Sequence, residues 1–328
     1  MRILAWFTIV TSLLFLTAPM PARAQTKPPP FQILIGSVGP GVPEWPLYIA
    51  EELGLFERAG LSVSELTAGN TQNCISELVT GDAPIAILAS DVVITAAAQK
   101  LPITYIAPVI TIPTYSLVVA PTIKSWNDLR GKVVLVTNKE DITAITLRKM
   151  AAAQKLDWLK DFNILNSGTS QLRTVALVSG NAQGAMLTQP FDIYATRQGM
   201  HILARGSDVL HDWISNGIAV NPTWAAAHRP QLVAFLRVFR DAITYGYAHP
   251  AEATAIMSRK LKIEPADAQI AYNATFGNNG VSRDLVLNQK ALQNVADGVV
   301  DIGTLPAAPS LSSIMDLSFV RDMRAGGK

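Results

Sequence analysis

Short β-rich apolar stretches alternate along the chain with segments whose apolar residues recur at helical spacing. We predict strands at 31–35, 61–66, 84–88, 103–109, 115–119, 132–136, 162–165, 184–187, 201–203 and 217–220. We predict helices between them at 47–53, 71–79, 91–99, 141–154, 170–178 and 191–197. Strands that alternate with helices of this length indicate an α/β sheet rather than a sandwich or a helical bundle.

From about residue 224 onward the pattern becomes helical. One segment carries an apolar stripe at i, i+3, i+4, i+7 and i+11, formed by Leu232, Phe235, Leu236, Phe239 and Ile243. Such a stripe is typical of an amphipathic helix packed on a core. Further helices are predicted at 251–260, 265–274 and 284–297. The α/β part is therefore expected to end in a C-terminal helical segment.

The first 24 residues have the three parts of a secretory signal peptide. A basic start at Arg2 precedes an apolar run at 3–16, and Ala22-Arg23-Ala24 forms a small-x-small cleavage site. The apolar run is shorter than the roughly 20 residues that a membrane-spanning helix needs. No Cys stands at the junction for lipid attachment. The sequence therefore predicts a periplasmic protein whose leader is cleaved after Ala24.

Removal of this leader changes the charge balance. The leader carries two of the 27 basic residues and no acidic one, which leaves 25 basic side chains against 25 acidic ones. A balanced surface gives no electrostatic reason to expect nucleic acid or an anionic membrane as a partner. The remaining chain is long enough for two lobes. Its one cysteine, Cys74, cannot form an internal disulfide, so stability must come from packing.

The motifs of common catalytic and cofactor sites do not occur. There is no G-x-S-x-G elbow, no P-loop and no H-E-x-x-H. A segment at 39–44 begins like a dinucleotide fingerprint, but Glu44 occupies the third glycine position. The four histidines and Cys74 show no metal-ligand spacing. We therefore predict no catalytic residue, no metal and no cofactor, and hence a protein that is not an enzyme.

Residues 50–61 fit the pattern A-x-x-x-G-x-F-x-x-x-G-L, with Ala50, Gly54, Phe56, Gly60 and Leu61 at the fixed positions. This segment resembles the signature of the SsuA/TauA-like proteins, which bind sulfonates, taurine or nitrate, and of the NMT1/THI5-like solute-binding proteins. Segments 69–72, 128–132 (DLRGK) and 184–190 are similar to later family motifs and occur in the same order.

The resemblance implies a type II periplasmic binding fold with two α/β lobes, two crossover strands and a ligand cleft between the lobes. Lobe 1 would comprise 31–119 and 218–328, and lobe 2 would comprise 120–217. It further implies a monomer that captures a small molecule for an ABC permease in the inner membrane. Ligand binding would close the lobes by a hinge motion.

Ligands of open α/β sheets bind outside the carboxyl ends of the strands, where loops and helix N-termini converge. In lobe 1 this rule selects Ser37, Glu44, Trp45, Asn70, Thr71, Gln72, Ser90, Asp91, Thr111, Thr114 and Tyr115. In lobe 2 it selects Thr137, Asn138, Asp141 and Gln189, with Thr143 and Asp192 beside them.

Several of these candidates also have an ordinary structural interpretation. Trp45 is either a core residue or a platform on which a ligand stacks, and Tyr115 could equally pack within its strand. Asn70 and Thr71 could cap their helix. Gln189 precedes Pro190 and is also a turn residue. Asp192 is more simply a first-turn charge that complements the helix dipole.

The start of the predicted helix at 141–154 bears on the ligand. A free helix N-terminus binds anions, but Asp141 can cap this helix itself. Its carboxylate would occupy the donors and disfavour an anion by roughly 1 kcal/mol or more in a partly buried cleft. Glu44 adds a second acidic group. The sequence thus favours a neutral, aromatic or amine-bearing solute over a small strong anion.

Two other functions stay open. A thiamin-pyrimidine synthase-like enzyme would share the fold, but that resemblance calls for a cysteine-rich iron-binding motif and a reactive histidine. A sensory module would present its bound solute to a membrane receptor instead of a permease. The sequence does not separate the sensory role from transport.

Overall fold

The computed structural model describes residues 29–326, and its strands form two five-stranded sheets. The first sheet contains β1 (Phe31–Ser37), β2 (Leu61–Thr67), β3 (Ile85–Ala89), β4 (Thr104–Ile110) and β10 (Asn216–Val220). Their order across the sheet is β2-β1-β3-β10-β4. β1, β2 and β3 are parallel, and β10 runs antiparallel between β3 and β4. β3 and β10 are almost wholly buried, as strands covered on both faces are.

The second sheet contains β5 (Tyr115–Val119), β6 (Val133–Val136), β7 (Asn163–Asn166), β8 (Gly184–Thr188) and β9 (His201–Arg205). Their order is β7-β6-β8-β5-β9. β6 is parallel to β7 and β8, and β5 is antiparallel to β8 and β9. The two sheets therefore share one plan: three parallel strands and one antiparallel strand that separates a fifth from them.

The chain crosses between the sheets twice, at 111–114 and at 206–215. The predicted lobe 1 ended at residue 119, whereas Tyr115–Val119 pairs with β8 and β9 in the second sheet. Hydrophobic pattern identifies a strand but not its partner, because pairing joins residues far apart in sequence. The first crossing accordingly precedes β5, and the division into lobes remains a prediction.

Eight α-helices accompany the strands up to β9 within the described part of the chain. They are α1 (Trp45–Glu52), α2 (Leu55–Arg58), α3 (Thr71–Thr80), α4 (Ser90–Ala98), α5 (Ile142–Ala153), α6 (Trp158–Asp161), α7 (Ser170–Val178) and α8 (Phe191–Arg197). α3 illustrates their local origin. The Asn70 side chain accepts a hydrogen bond from Asn73 N at 2.9 Å, and Gly81 ends the helix with a left-handed φ of 87°.

The remaining helices follow β10. They are α9 (Pro222–Ala227), α10 (Arg229–Ala248), α11 (Pro250–Leu261), α12 (Pro265–Ala274), α13 (Gln289–Asp301), α14 (Leu311–Ile314) and α15 (Ser318–Ala325). The predicted apolar stripe of α10 is fully buried in the core that covers one face of the first sheet. Between residues 29 and 326, no helix combines the length and apolar character needed to cross a bilayer.

The predicted helix at 284–297 begins five residues late, at Gln289. Leu285 is buried with a positive φ of 59°, which turns the chain away from helical geometry. Asn288 then starts the helix, because its side chain accepts from Ala291 N at 3.2 Å. α13 packs against both α4 and α5 and so contacts helices that follow strands of the two sheets.

Candidate ligand-binding cleft

The carboxyl ends of the parallel strands of the two sheets face each other. α4 begins directly after β3 of the first sheet, and α5 begins after β6 of the second. The Asp91 carboxylate in the first turn of α4 accepts a hydrogen bond from Ile142 N of α5 at 2.7 Å. This bond is buried and joins the two strand-end regions directly. It marks the place where the strand-end rule locates a ligand.

The N-terminus of α5 is already capped by the protein. Asp141 Oδ1 accepts from Thr143 N at 2.9 Å and from Ala144 N at 3.4 Å, so the predicted capping role of Asp141 is confirmed. The Asp91 carboxylate accepts a hydrogen bond from the N–H of Ile142. Two carboxylates therefore occupy three donors that a helix would otherwise offer to an external anion.

Asp91 is 2% exposed, and its second oxygen, Oδ1, has no hydrogen-bond partner among the described residues. Burial, together with the nearby charge of Asp141, raises the pKa of this carboxyl from its usual 3.8 to about 7. Burial also raises the pKa of Asp141, which hydrogen bonds from its helix oppose. Burial therefore disfavours the charged form of both carboxyl groups at this site.

Arg173 on α7 lies beside this pair and is only 1% exposed. Its Nε donates to Met186 O at 2.8 Å, and its terminal nitrogens donate to Thr137 Oγ1 at 2.7 Å and to Ser170 Oγ at 2.9 Å. Within residues 29–326 no carboxylate forms an ion pair with it. Burial lowers the pKa of its guanidinium, and Tyr115 and Asp141 counteract that effect.

The sequence interpretation missed Arg173. Only one sequence signal indicates its position: it shares a helix face with Ser170, Thr174 and Leu177, all of which are buried. Tyr115 connects this arginine to the acidic pair, since the charges of Arg173, Asp141 and Asp91 all act on its hydroxyl. Desolvation raises the Tyr115 pKa to about 12, so the hydroxyl remains neutral and able to donate.

A second polar cluster lies at the ends of β1 and β2. Ser37 Oγ donates to Glu65 Oε1 at 2.5 Å. Glu44 is 4% exposed, and burial with the charge of Glu65 raises its pKa well above the usual range. Its Oε2 and the Tyr48 hydroxyl are buried without a partner in the described structure. Two predicted site residues, Ser37 and Glu44, therefore belong to the same polar cluster around Glu65.

Trp45 is a core residue in this structure, which corrects its interpretation as a stacking platform. The side chain is fully buried, and its indole N–H donates to Ala253 O at 2.8 Å. The rings of Tyr272 and Phe276 contact it edge-on at centroid distances of 5.8 and 5.4 Å. Because the indole is fully enclosed by these partners from the C-terminal part of the chain, no face of it is left for a ligand.

The other candidates border the two clusters or have structural partners. Asn70 and Gln72 are exposed and Thr71 is partly buried, with the Asn70 side chain used as the α3 cap. Thr111 Oγ1 donates to Gly280 O at 3.3 Å, whereas Thr114 and Gln189 are partly buried. Partners within the protein are also found for Ser90, Thr137, Asn138 and Thr143.

Asp192 occupies the first turn of α8, as its structural interpretation predicts. Its carboxylate accepts from Ile193 N at 2.8 Å and from Ser116 Oγ at 3.2 Å. Burial raises its pKa to about 6. The hydrogen bonds account for Asp192 without a ligand.

A cavity of about 600 Å³ lies at the opposite end of the first sheet. Its lining includes Thr104 at the start of β4, Pro222 after β10, and residues 305–307, 309 and 310. Because the strand ends converge elsewhere, this groove is not the candidate cleft.

The chain matches the family described as NMT1/THI5 like over residues 44–253. It is 26% identical over 262 residues to YtlA of Bacillus subtilis (strain 168), described as a candidate binding protein. That alignment covers 77% of this chain and 78% of YtlA.

Solved structures share the fold at low sequence identity. The ligand-binding component of an ABC-type import system from Staphylococcus aureus superposes with a TM-score of 0.76 and 13% identity, over 89% of this chain and 99% of that one. The alkanesulfonate-binding protein SsuA of Xanthomonas axonopodis pv. citri, bound to MOPS, gives 0.72 and 15% over the same shares. The desulfurization enzyme DSZB gives 0.69 and 12%, over 91% of this chain and all of DSZB. These likenesses confirm the predicted α/β periplasmic binding protein fold.

Proposed function

Because the chain belongs to the NMT1/THI5-like family, we propose that it captures a small organic solute between its two sheets for an ABC importer. The observation that carries the proposal is the contact between Asp91 and Ile142, which joins the strand ends of the two sheets. Ligands of α/β proteins bind at such edges. The similarity to YtlA and to the import component from S. aureus supports the same role.

The two crossings between the sheets, at 111–114 and 206–215, would form the hinge of the protein. Each sheet with its helices would be one lobe, and two short connections would allow one lobe to rotate against the other. In the present arrangement Arg197 of α8 and Asp267 of α12 form an ion pair with an N–O distance of 2.7 Å. This pair lies between the second-sheet helices and the C-terminal helices, so it would favour the closed form.

The protein would act in the periplasm. The leader at 1–24, which lies outside the described residues, directs export and would be cleaved after Ala24. The partner of the closed, solute-bound form would be an ABC permease in the inner membrane. One copy of the chain contains both sheets and the whole candidate cleft, which supports a monomer as the binding unit.

Binding without catalysis is part of the proposal, since the fold of DSZB shows that the architecture also serves an enzyme. A pyrimidine synthase-like activity would require metal-binding cysteines. Cys74 is fully buried, and burial raises the pKa of its thiol to about 12. A metal ligand must be the thiolate, so this side chain is poorly suited to such a role.

Native mass spectrometry of the protein purified from periplasmic extract tests the proposal. We expect a species heavier than the mature chain by the mass of one small molecule, which denaturation releases. Small-angle scattering should show that the protein expands when the molecule is removed. The control is the chain without residues 1–24 made in the cytoplasm and then dialysed against the same extract. If neither preparation carries or takes up a solute, the proposed function is wrong. Conversion of the solute during incubation would indicate an enzyme.

A further inference from the structure

The N-terminus of α5 bears on which charge a solute in the cleft could carry. Free N–H groups in the first turn of a helix form a ready binding site for a sulfonate, nitrate or carboxylate. Here Ile142 N is bound to Asp91, and Thr143 N and Ala144 N are bound to Asp141. An incoming anion would have to displace two carboxylates that carry the same charge and are part of the protein.

The charges of the ionisable groups around the start of α5 do not cancel. Asp91 and Asp141 can each carry a negative charge, and Arg173 carries one positive charge. Tyr115 stays neutral because its pKa is about 12. Lys139 and Glu140, which precede Asp141, are exposed and opposite in sign. With both carboxyl groups ionised, the buried cluster is therefore one positive charge short.

An unpartnered acceptor shows where that charge would be placed. Asp91 Oδ1 is buried and has no hydrogen-bond donor among residues 29–326, although Oδ2 of the same carboxylate is bound to Ile142 N. Burying a carboxylate oxygen without a hydrogen-bond donor is unfavourable relative to leaving it in water. Arg173 does not supply the donor. The four hydrogen bonds that its guanidinium donates go to Met186, Thr137, Gly168 and Ser170. The elevated pKa of Asp91 fits an oxygen that still needs a donor or a proton.

We propose that the cleft selects a solute with one cationic nitrogen, such as a primary amine or an amidine, whose N–H donates to Asp91 Oδ1. Asp141 supplies the second negative charge, and the two carboxylates together exclude sulfonates and nitrate. This inference rests on the proposed function, since it names the class of solute for the same cleft. A cation at Asp91 would restore charge balance and leave every donor of α5 bound as it is.

Thermal shift with matched probes tests the inference. The probes are the amines, alcohols and sulfonates of one carbon series, from ethyl to butyl and benzyl, at equal concentration and at pH 8. We expect at least one amine to raise the melting temperature of the protein, with no response to the corresponding alcohol and sulfonate. Calorimetry on the best amine should then show a Kd about 10- to 100-fold weaker for Asp91→Asn, as expected for losing a hydrogen bond to a charged group.

Two further variants keep the test independent of folding. Asp141→Asn retains a good helix cap, because Asn caps as well as Asp, but removes the second charge. It should weaken amine binding by about 10-fold. Asp157→Asn is the matched control, since it also replaces a helix-capping carboxylate but lies at the start of α6, outside the candidate cleft. It should bind the amine like the unchanged chain.

Each outcome decides a different point. A sulfonate or alcohol that stabilises the protein as well as its amine leaves solute capture standing and overturns the inference. Equal amine affinity of the Asp91→Asn variant also overturns it. If no amine stabilises the protein but mass spectrometry finds an anionic or neutral solute, only the inference fails. If no probe and no solute binds, the proposed function fails as well.

Discussion

Replacing Asp91 with asparagine should change how the stability of the ligand-free protein depends on pH. Asparagine keeps an oxygen that can accept from Ile142 N, so the contact at 2.7 Å can persist. It removes the carboxyl whose pKa rises from 3.8 to about 7 on folding. The folded chain therefore binds this proton more tightly than the unfolded chain does between those two pH values.

The sign and size of the effect follow from that difference. The contribution of the protonated carboxyl is fully present below about pH 4, and it is lost as the pH rises through about 7. At about 1.4 kcal/mol for each pKa unit, the full difference is about 4 kcal/mol. The Asp91→Asn variant should thus gain about 4 kcal/mol relative to the unchanged protein between pH 4 and pH 8.

Urea unfolding followed by tryptophan fluorescence at several pH values measures this gain as a free energy of unfolding. The matched control is Asp297→Asn, an exposed aspartate on α13 that hydrogen-bonds to Gln293. It should follow the pH dependence of the unchanged protein. A constant free-energy difference between the Asp91→Asn variant and the unchanged protein from pH 4 to 8 would refute the assignment of a buried, protonated Asp91.

Three further substitutions test the packing and the contact between the sheets. Trp45→Ala should lower the free energy of unfolding by about 3–5 kcal/mol in urea, because the ring is fully buried; a loss below 1 kcal/mol would contradict its core role. Gly217→Ala should cost about 1–3 kcal/mol, since an added Cβ would overlap the buried Tyr105 ring; Tyr105→Phe would leave that clash and should not rescue it. Asp267→Asn, which removes the ion pair with Arg197, should cost about 1 kcal/mol or less and enlarge the radius of gyration in scattering; an unchanged radius would show that the pair does not hold the lobes together.

The strands and their order along the chain could be predicted, because residues close in sequence mark where each strand begins and ends. Tyr115–Val119 begins and ends as its pattern predicts, and Asp141 caps α5 as its position suggests. The placement of that same strand in the second sheet could not be predicted, since it depends on pairing with residues about 70 to 90 positions away.

The candidate cleft was predictable only in part, for the same reason. The strand-end rule found Asp91 and Asp141 separately, but their shared helix terminus depends on a contact across 51 residues of sequence. Arg173 looked like an ordinary helical arginine, because the helix face that it shares with Ser170 and Leu177 gives only a weak sequence signal of burial. Trp45 was ambiguous because its ring partners, Tyr272 and Phe276, lie far along the chain, in α12 and just after it.

The insertion of β10 between β3 and β4 sets the order in which the two sheets can be completed. All strands of the second sheet lie within 115–205, so that sheet can form from one continuous segment. β4, in contrast, has no strand neighbour until β10 arrives about a hundred residues later, and such non-local pairing is slow. We expect pulse-labelled hydrogen exchange during refolding to protect β6 and β8 before β3 and β4. During export, the first sheet would remain unfinished until residues 216–220 have left the translocation channel, and its edge strands would be the segments most exposed to misfolding.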